Sequence, residues 1–327
     1  GGGRDIDDRS VVTGSVSNAT TSTTMRRARA RVKADWKSQP IVDQQAGLMQ
    51  FGGSQQAHYK ILDMFAKTFL PACRADIARH RADKNYPALS KVVHSLKGAS
   101  GFAVATRIFT LAKELQRMVP VATSSPAQAA ALLAEGEEDA VARLLGMLDA
   151  EFDKFITHYA TINGTPIAPG RGLAAKSTLK SPDERRLEGV RVLYAEDNPF
   201  CVSVIRTYLA SCNATIESAN DGTDVVSKLV SGREKFDCVL MDCHMPVMDG
   251  FQALKVIRHW ESDQGHEAIP IIGITAYAGH RESMLEGGMT GFLTKPVSRP
   301  TLISTIAACL DGREVAEVGD LEDESGG

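Results

Sequence analysis

Acidic, hydroxyl and ammonium side chains close successive short apolar runs in the second half of this 327-residue chain. Glu196 and Asp197 follow the run 190–195, Asp242 follows 236–241, Thr275 follows 269–274 and Lys295 comes just after 291–293. Carboxylates gathered in one place repel one another. A hard divalent cation with oxygen ligands relieves that repulsion, and Mg2+ takes a few carboxylates while keeping waters for a phosphate. The chemistry that suits the set is acceptance of a phosphoryl group. One carboxylate would be the nucleophile, and metal, lysine and hydroxyl would neutralise charge on the group in transfer. A single aspartate in such a place reads as a helix cap or a solvated loop residue; the ordered set outweighs that reading.

A second candidate lies upstream, in Val92-Val93-His94-Ser95-Leu96-Lys97-Gly98-Ala99-Ser100. Leu89, Val92 and Leu96 are expected to point inward. His94, Lys97, Gly98 and Gly101 then share the opposite, solvent-facing side by their helical spacing. An imidazole there is a nucleophile near neutral pH, and Lys97 one turn away offsets phosphate charge. Gly98 in a helix costs about 1 kcal/mol relative to alanine, which makes sense if another protein must come close to the ring. His58, His80, His158, His259, His266 and His280 lack such neighbours and read as ordinary surface histidines. The His244 side chain reads as merely exposed.

The elements that must position these groups fall into two patterns. From residue 41 to 162 apolar residues recur at helical spacing: Tyr59, Leu62, Phe65, Phe69 and Cys73; Leu89, Val92, Leu96 and Ala103; Val141, Leu144, Leu148, Phe152, Phe155 and Tyr159. Pro71 is expected to kink or break the first helix, and residues 120–126 to connect two others. The expected fold of 41–163 is an all-α antiparallel helical bundle. From Val190 onward short strands alternate with helices, which predicts an α/β doubly wound, five-stranded parallel sheet over 188–312. Its crevice lies at the carboxyl ends of the strands, where the acids fall. Residues 1–40 read as a disordered tail with a Thr20-Thr21-Ser22-Thr23-Thr24 tract and a basic run of Arg26, Arg27, Arg29, Arg31, Lys33 and Lys37. Residues 164–187, rich in Gly and Pro, read as a flexible linker, and 313–327 as an acidic tail.

A formal net charge of −3 excludes bulk attraction to nucleic acid, so the basic run reads first as a solvated tail. No apolar run is long enough to span a bilayer. The chain opens on Gly1 without an initiator Met, as expected of a fragment or processed product. The six cysteines form no close pair and read as reduced, buried thiols of a cytoplasmic protein.

With those residues in view, 190–311 resembles the receiver domain of two-component response regulators. The resemblance rests on Tyr194-Ala195-Glu196-Asp197-Asn198, Met241-Asp242-Cys243-His244-Met245-Pro246-Val247-Met248-Asp249-Gly250, Ile274-Thr275-Ala276 and Thr294-Lys295-Pro296. It implies that Asp242 accepts the phosphoryl group and that Asp197 ligates Mg2+, with Glu196 assisting and the backbone carbonyl of His244 as a further ligand. It also implies that Thr275 and Lys295 contact the phosphoryl oxygens, that Ala276 leaves access, that Lys295–Pro296 is cis and that Phe292 is the switch aromatic. Tyr277 is expected in a partner surface or in the core. Residues 43–162 resemble histidine-phosphotransfer domains through His94-Ser95-Leu96-Lys97-Gly98, which implies phosphorylation of His94 supported by Lys97 and Gly98. The family's frequent downstream glycine has no counterpart at Ala103 to Ala105.

The resulting expectation is a phosphorelay carrier with Mg2+ as cofactor, whose partners are an upstream histidine kinase or its receiver and other phosphotransfer or receiver domains. No glycine-rich ATP motif is present, so the chain is expected not to make phosphohistidine from ATP alone. Two other readings stand beside it: a non-catalytic, phosphorylation-gated interaction module, and a nucleic-acid-binding regulator using the basic run.

Overall fold

Polar caps start several of the helices. In this computed structural model, which describes residues 36–119, 137–163, 180–232, 235–276 and 281–313, Asp43 accepts from the Ala46 N–H at 2.9 Å and opens α1 (Gln44–Gln50). Ser54 accepts from the Ala57 N–H at 3.3 Å and opens α2 (Gln55–Met64). Each satisfies an N–H that a first helical turn leaves without an internal partner. The basic run up to residue 35, the 120–126 connection, residues 164–179, Tyr277 and the acidic tail from residue 314 lie outside the described residues.

α2 passes through a π-helical turn, Phe65–Phe69, into α3 (Leu70–Ala82). The kink or break expected at Pro71 takes the form of this local widening, and the helix is not interrupted. Proline lacks an N–H, and its ring crowds the carbonyl four residues back. The chain widens one turn instead, with the Leu70 N–H donating to the Phe65 carbonyl five residues earlier. Across that turn the rings of Phe65 and Phe69 stack, centroids 5.6 Å apart.

Asn85 caps α4 (Tyr86–Phe102), with Pro87 in the first turn, where no internal N–H bond is lost. α5 (Thr106–Met118) and α6 (Glu137–Ile162) complete the bundle, α4 packing on α3 and α5, and α5 on α6. The buried stripe of α4 is Leu89, Val93, Leu96, Ala99 and Phe102. Val93 takes the place expected of Val92, and in α6 Leu145 that of Leu144, both expected residues being half-buried. Steps of three and of four both fit a helical stripe, so the pattern alone leaves the choice open. His58, expected at the surface, is buried. Gly47 makes room for it, since a Cβ there would lie 2.2 Å from His58 Cε1, and the Phe51 ring stands 5.7 Å from its own.

The second region is a parallel sheet in the order β2-β1-β3-β4-β5, with β1 (Arg191–Ala195), β2 (Thr215–Ala219), β3 (Cys238–Asp242), β4 (Ile271–Thr275) and β5 (Gly291–Thr294). Every residue of β3 and β4 is buried, as strands covered on both faces must be. α7 (Pro182–Arg186) precedes the sheet; α8 (Pro199–Ala210), α9 (Gly222–Val230), α10 (Gly250–Gln264), α11 (Arg281–Glu286) and α12 (Arg299–Leu310) follow the strands in turn. α7 lies inside the stretch read as linker. Ser181 and Glu184 form a reciprocal capping box around it, and Arg299 pairs with Glu184 at 2.5 Å, so these residues are structured.

The described residues from Pro40 onward form one compact unit. α8 packs on β2 on one side and on α2 and α4 of the bundle on the other. The face of α4 expected to meet solvent thus meets the sheet region. All six cysteines are free and buried. Among the described residues no helix is long and apolar enough to cross a membrane.

Candidate functional site

The order of the strands reverses direction between β1 and β3, and a crevice opens there at their carboxyl ends. Glu196 leaves β1 and Asp242 ends β3. Lys295, just after β5, reaches both: its Nζ lies 2.7 Å from Glu196 Oε2 and 2.7 Å from Asp242 Oδ2. All three side chains are buried. Tyr194 Oη donates to Glu196 Oε2 at 2.8 Å, and the His244 N–H donates to Asp242 Oδ1 at 3.1 Å. Burial raises the Glu196 carboxyl to about 7 against the opposing pull of the Lys295 ammonium. Burial also works against the charge of Lys295, but Asp242 and Glu196 outweigh it and hold the ammonium well above its ordinary value. Asp197 stands on the exposed side. One carboxylate oxygen each from Glu196, Asp197 and Asp242 lies within 4.8 Å of the others, a set of hard oxygen donors that fits Mg2+.

Thr275 is buried at the end of β4, beside Thr294 of β5, and its carbonyl accepts from the Lys295 N–H at 2.7 Å. Lys295–Pro296 is cis. Phe292 is half-buried against the sheet core, with the Arg281 guanidinium 5.3 Å from its ring centre.

His94 closes the crevice from the bundle side. A cavity of about 20 Å³ has His94, Lys97 and Gly98 on one wall and Glu196, Asp197 and Lys295 on the other. That volume admits roughly one water. The rings of His94 and His244 lie 6.4 Å apart. The expectation of a freely exposed imidazole is corrected: His94 is half-buried, because the receiver-like region covers its face. Burial, with help from the Lys295 ammonium, pulls its pKa down to about 4, so the ring is neutral at pH 7. Lys97 is buried as well, and burial with the Lys113 and Lys295 ammoniums lowers it to about 8.

Two neighbours of His94 carry no sequence signal. The Gln116 amide of α5 lies 2.5 Å from His94 Nδ1. Asn198 caps α8 and also donates from Nδ2 to the Ser95 carbonyl at 3.2 Å. Neither partner is within a helical turn of the other, so spacing could not have paired them. The apolar surplus of α8 was a signal available to the sequence: Phe200, Cys201, Val204, Ile205, Tyr208 and Leu209 are too many for one buried face.

Comparison with known proteins agrees with this division. The model of the response regulator receiver domain matches residues 192–307, and that of the Hpt domain matches 60–153. The chain is 36% identical over 158 residues to the sensor histidine kinase GacS of Pseudomonas protegens, covering 45% of this chain and 17% of that protein. It is 34% identical over 162 residues to the osmosensing histidine protein kinase SLN1 of Saccharomyces cerevisiae, covering 46% of this chain and 13% of that protein. It therefore spans less than a fifth of the length of these relatives. Among solved structures it is similar to the receiver domain of a Pseudomonas aeruginosa sensor histidine kinase with a magnesium ion coordinated in its active site cleft (36% identity, 38% of this chain, 98% of that one, TM-score 0.33). It is also similar to the co-crystal structure of the Saccharomyces cerevisiae histidine phosphotransfer signaling protein Ypd1 with the receiver domain of its response regulator Ssk1 (25% identity, 41% and 97%, TM-score 0.35). This chain belongs to the two-component phosphorelay proteins, an Hpt domain over residues 60–153 followed by a response regulator receiver domain over 192–307.

Proposed function

We propose that the chain carries phosphoryl groups on two residues, His94 of the Hpt domain and Asp242 of the receiver, with domain limits near 41–163 and 188–312. What supports this reading is one observation above all: a buried acid–lysine cluster and a neutral imidazole line the same small cavity. On the receiver side an Asp242 oxygen attacks the phosphorus of a donor phosphohistidine. The N–P bond breaks, an O–P bond forms, and the electron pair returns to the donor imidazole. Lys295 offsets the charge of the transferring group, Thr275 hydrogen-bonds its oxygens, and Phe292 changes rotamer in response. Glu196, Asp197, Asp242 and the His244 carbonyl would hold Mg2+. When bound, the ion supplies charge neutralisation at the phosphoryl oxygens.

On the bundle side a nitrogen of His94 accepts or returns the group. Lys97 offsets its charge, and Gly98 keeps the approach open. The names of the relatives point to a histidine kinase as the source, and six free, buried cysteines suit the cytoplasm. The test is transfer of radiolabel from a phosphorylated donor to the wild-type chain, His94→Gln and Asp242→Asn. Asp242→Asn is expected to lose the acyl-phosphate label while His94 still takes up acid-labile label. An acyl-phosphate label retained in Asp242→Asn would remove the assignment.

A further inference from the structure

We propose that the resident partner of His94 is this chain's own receiver: the phosphoryl group passes between Asp242 and His94 within one molecule, and an outside receiver reaches His94 only by displacing the internal one. The inference rests on the functional reading above and adds the identity of the partner.

The contact that sets His94 over the crevice is built as a core. Phe200 of α8 sits against the stacked pair of the π turn, 5.6 Å from Phe65 and 5.3 Å from Phe69. Tyr208, two turns further on, meets Phe51 edge-on at 5.2 Å, and its hydroxyl accepts from Gln50 Nε2 at 3.3 Å. Phe200 is 4% exposed and Tyr208 1%. Without the bundle, both rings would face water on a helix already committed to the sheet by its other side. Removing aromatic side chains from water is favourable in proportion to the apolar area buried, so the pair favours the docked state.

Register comes from polar contacts. Asn198 directly follows the acidic pair, and its amide holds the carbonyl of Ser95, the residue after His94. On the far side Gly101 faces Pro296, where a Cβ would lie 3.2 Å from the proline Cβ. The chain therefore pins α4 against the crevice at both ends of the His94 face. Covalent linkage adds a millimolar-scale effective concentration, which an outside receiver must exceed to compete.

The step balances without a further reactant. With the Gln116 amide turned so that its oxygen accepts from Nδ1–H, Nε2 of His94 keeps its lone pair and attacks the phosphorus of the Asp242 acyl phosphate. The O–P bond breaks and its electron pair returns to the Asp242 carboxylate. An N–P bond forms, and the imidazole proton leaves to solvent. Reversal restores the acyl phosphate.

The experiment uses the full chain, Mg2+ and radiolabelled acetyl phosphate as donor to Asp242, and follows alkali-stable, acid-labile label on His94. Transfer within one molecule is expected to keep the same rate constant over about a hundredfold dilution of protein. A mixture of His94→Gln with Asp242→Asn, where only transfer between molecules is open, is expected to be about a hundredfold slower at micromolar protein. Phe69→Ala, at a partly exposed edge of the contact, is expected to slow internal transfer and to speed delivery from His94 to an added receiver; a thermal melt checks its fold. A rate that scales with protein concentration, or a mixture as fast as wild type, overturns the inference and leaves the proposed function standing. So does a chain whose His94 is charged by an added phosphorylated receiver but never by its own Asp242. Failure of both residues to take label from any donor overturns the proposed function, and this inference with it.

Discussion

Four strand ends of the receiver each contribute a group to one crevice: Glu196 after β1, Asp242 at the end of β3, Thr275 at the end of β4 and Lys295 after β5. The Hpt region contributes His94, Lys97 and Gly98 from a single helix. The two designs place their chemistry under different constraints. At the crevice, like charges are forced together in a buried place and hold only because Lys295 bonds two of them. On α4 the proposed acceptor is neutral and one side of it rests on the receiver. Function in the receiver is therefore tied to its stability, whereas in the Hpt region the two are separable.

The sharpest way to break that comparison is to remove the lysine. Lys295→Ala leaves Glu196 and Asp242 buried without their counter-ion, and breaking a buried pair in this way costs about 3–5 kcal/mol. His94→Ala removes a half-buried neutral ring, and a loss below about 1 kcal/mol is expected. Denaturant unfolding of both variants in chelator measures the contrast. Equal losses would sink the distinction between the two regions.

Acid tests the Hpt side by another group. His58 is buried with neither ring nitrogen hydrogen-bonded among the described residues, and burial lowers its pKa from 6.5 to about 4, the nearby Asp43 opposing this. Between those values the unfolded chain binds a proton that the folded chain does not. Stability from this residue is thus complete above about pH 6.5 and falls as the pH drops toward 4, by about 3 kcal/mol in all. Midpoints of urea unfolding taken from pH 7 to pH 4 measure the slope, to which His94 adds in the same direction, and His58→Met is expected to reduce it. An unchanged slope in that variant would mean that His58 is not the group responsible.

These contrasts also separate what was legible in the sequence from what was not. In a parallel sheet a residue's place along the chain is its place in the fold. An acid just after an apolar run is an acid at the crevice, so Glu196, Asp197, Asp242 and Lys295 could be gathered before any coordinates. A helix gives less. Its stripe has two admissible phases, and the choice of Val93 over Val92 is made by neighbours. The docking of α8 on the bundle depends on Phe51, Phe65 and Phe69 meeting Phe200 and Tyr208, residues more than 130 positions apart by the sequence numbering. Pro71 announced a disturbance, but only packing decided that it would be a widened turn in place of a break.

Gly98 separates approach from helix strength at a smaller scale. A Cβ there would lie 3.7 Å from Cys201 Sγ, an ordinary contact. Gly98→Ala should therefore raise stability by up to about 1 kcal/mol through helix propensity and leave transfer rates unchanged. Gly98→Leu has no room toward α8 and is expected to slow transfer by about tenfold or more, since small displacements of reacting groups are costly. If leucine transferred as fast as glycine, closeness of approach would not be what the glycine provides.

The smallest expected effects come from two valines that share an unfavourable backbone. Val104 ends α4 at φ +48° and Val247 sits in the loop after Asp242 at φ +67°, a region that disfavours branched side chains. Val104 holds the end of the helix, with its N–H on the Gly101 carbonyl at 3.1 Å and the Ala105 N–H on Ser100 at 2.9 Å, the pattern that glycine ordinarily completes. Val247 is held by the Met248 N–H on the Pro246 carbonyl at 2.8 Å. Val247 is 85% exposed and Val104 only 8%, so the strain is offset by burial in the Hpt region and by nothing comparable in the receiver. Val247→Gly is expected to stabilise by about 1 kcal/mol, strain relief exceeding the added freedom of the unfolded chain. Val104→Gly gains the same relief but gives up about 1.5 kcal/mol of burial, and a small net loss is expected. Thermal or denaturant midpoints of the two variants read the difference. Stabilisation at both positions would show that burial does not hold Val104 in place, and loss at both would show that neither backbone is strained.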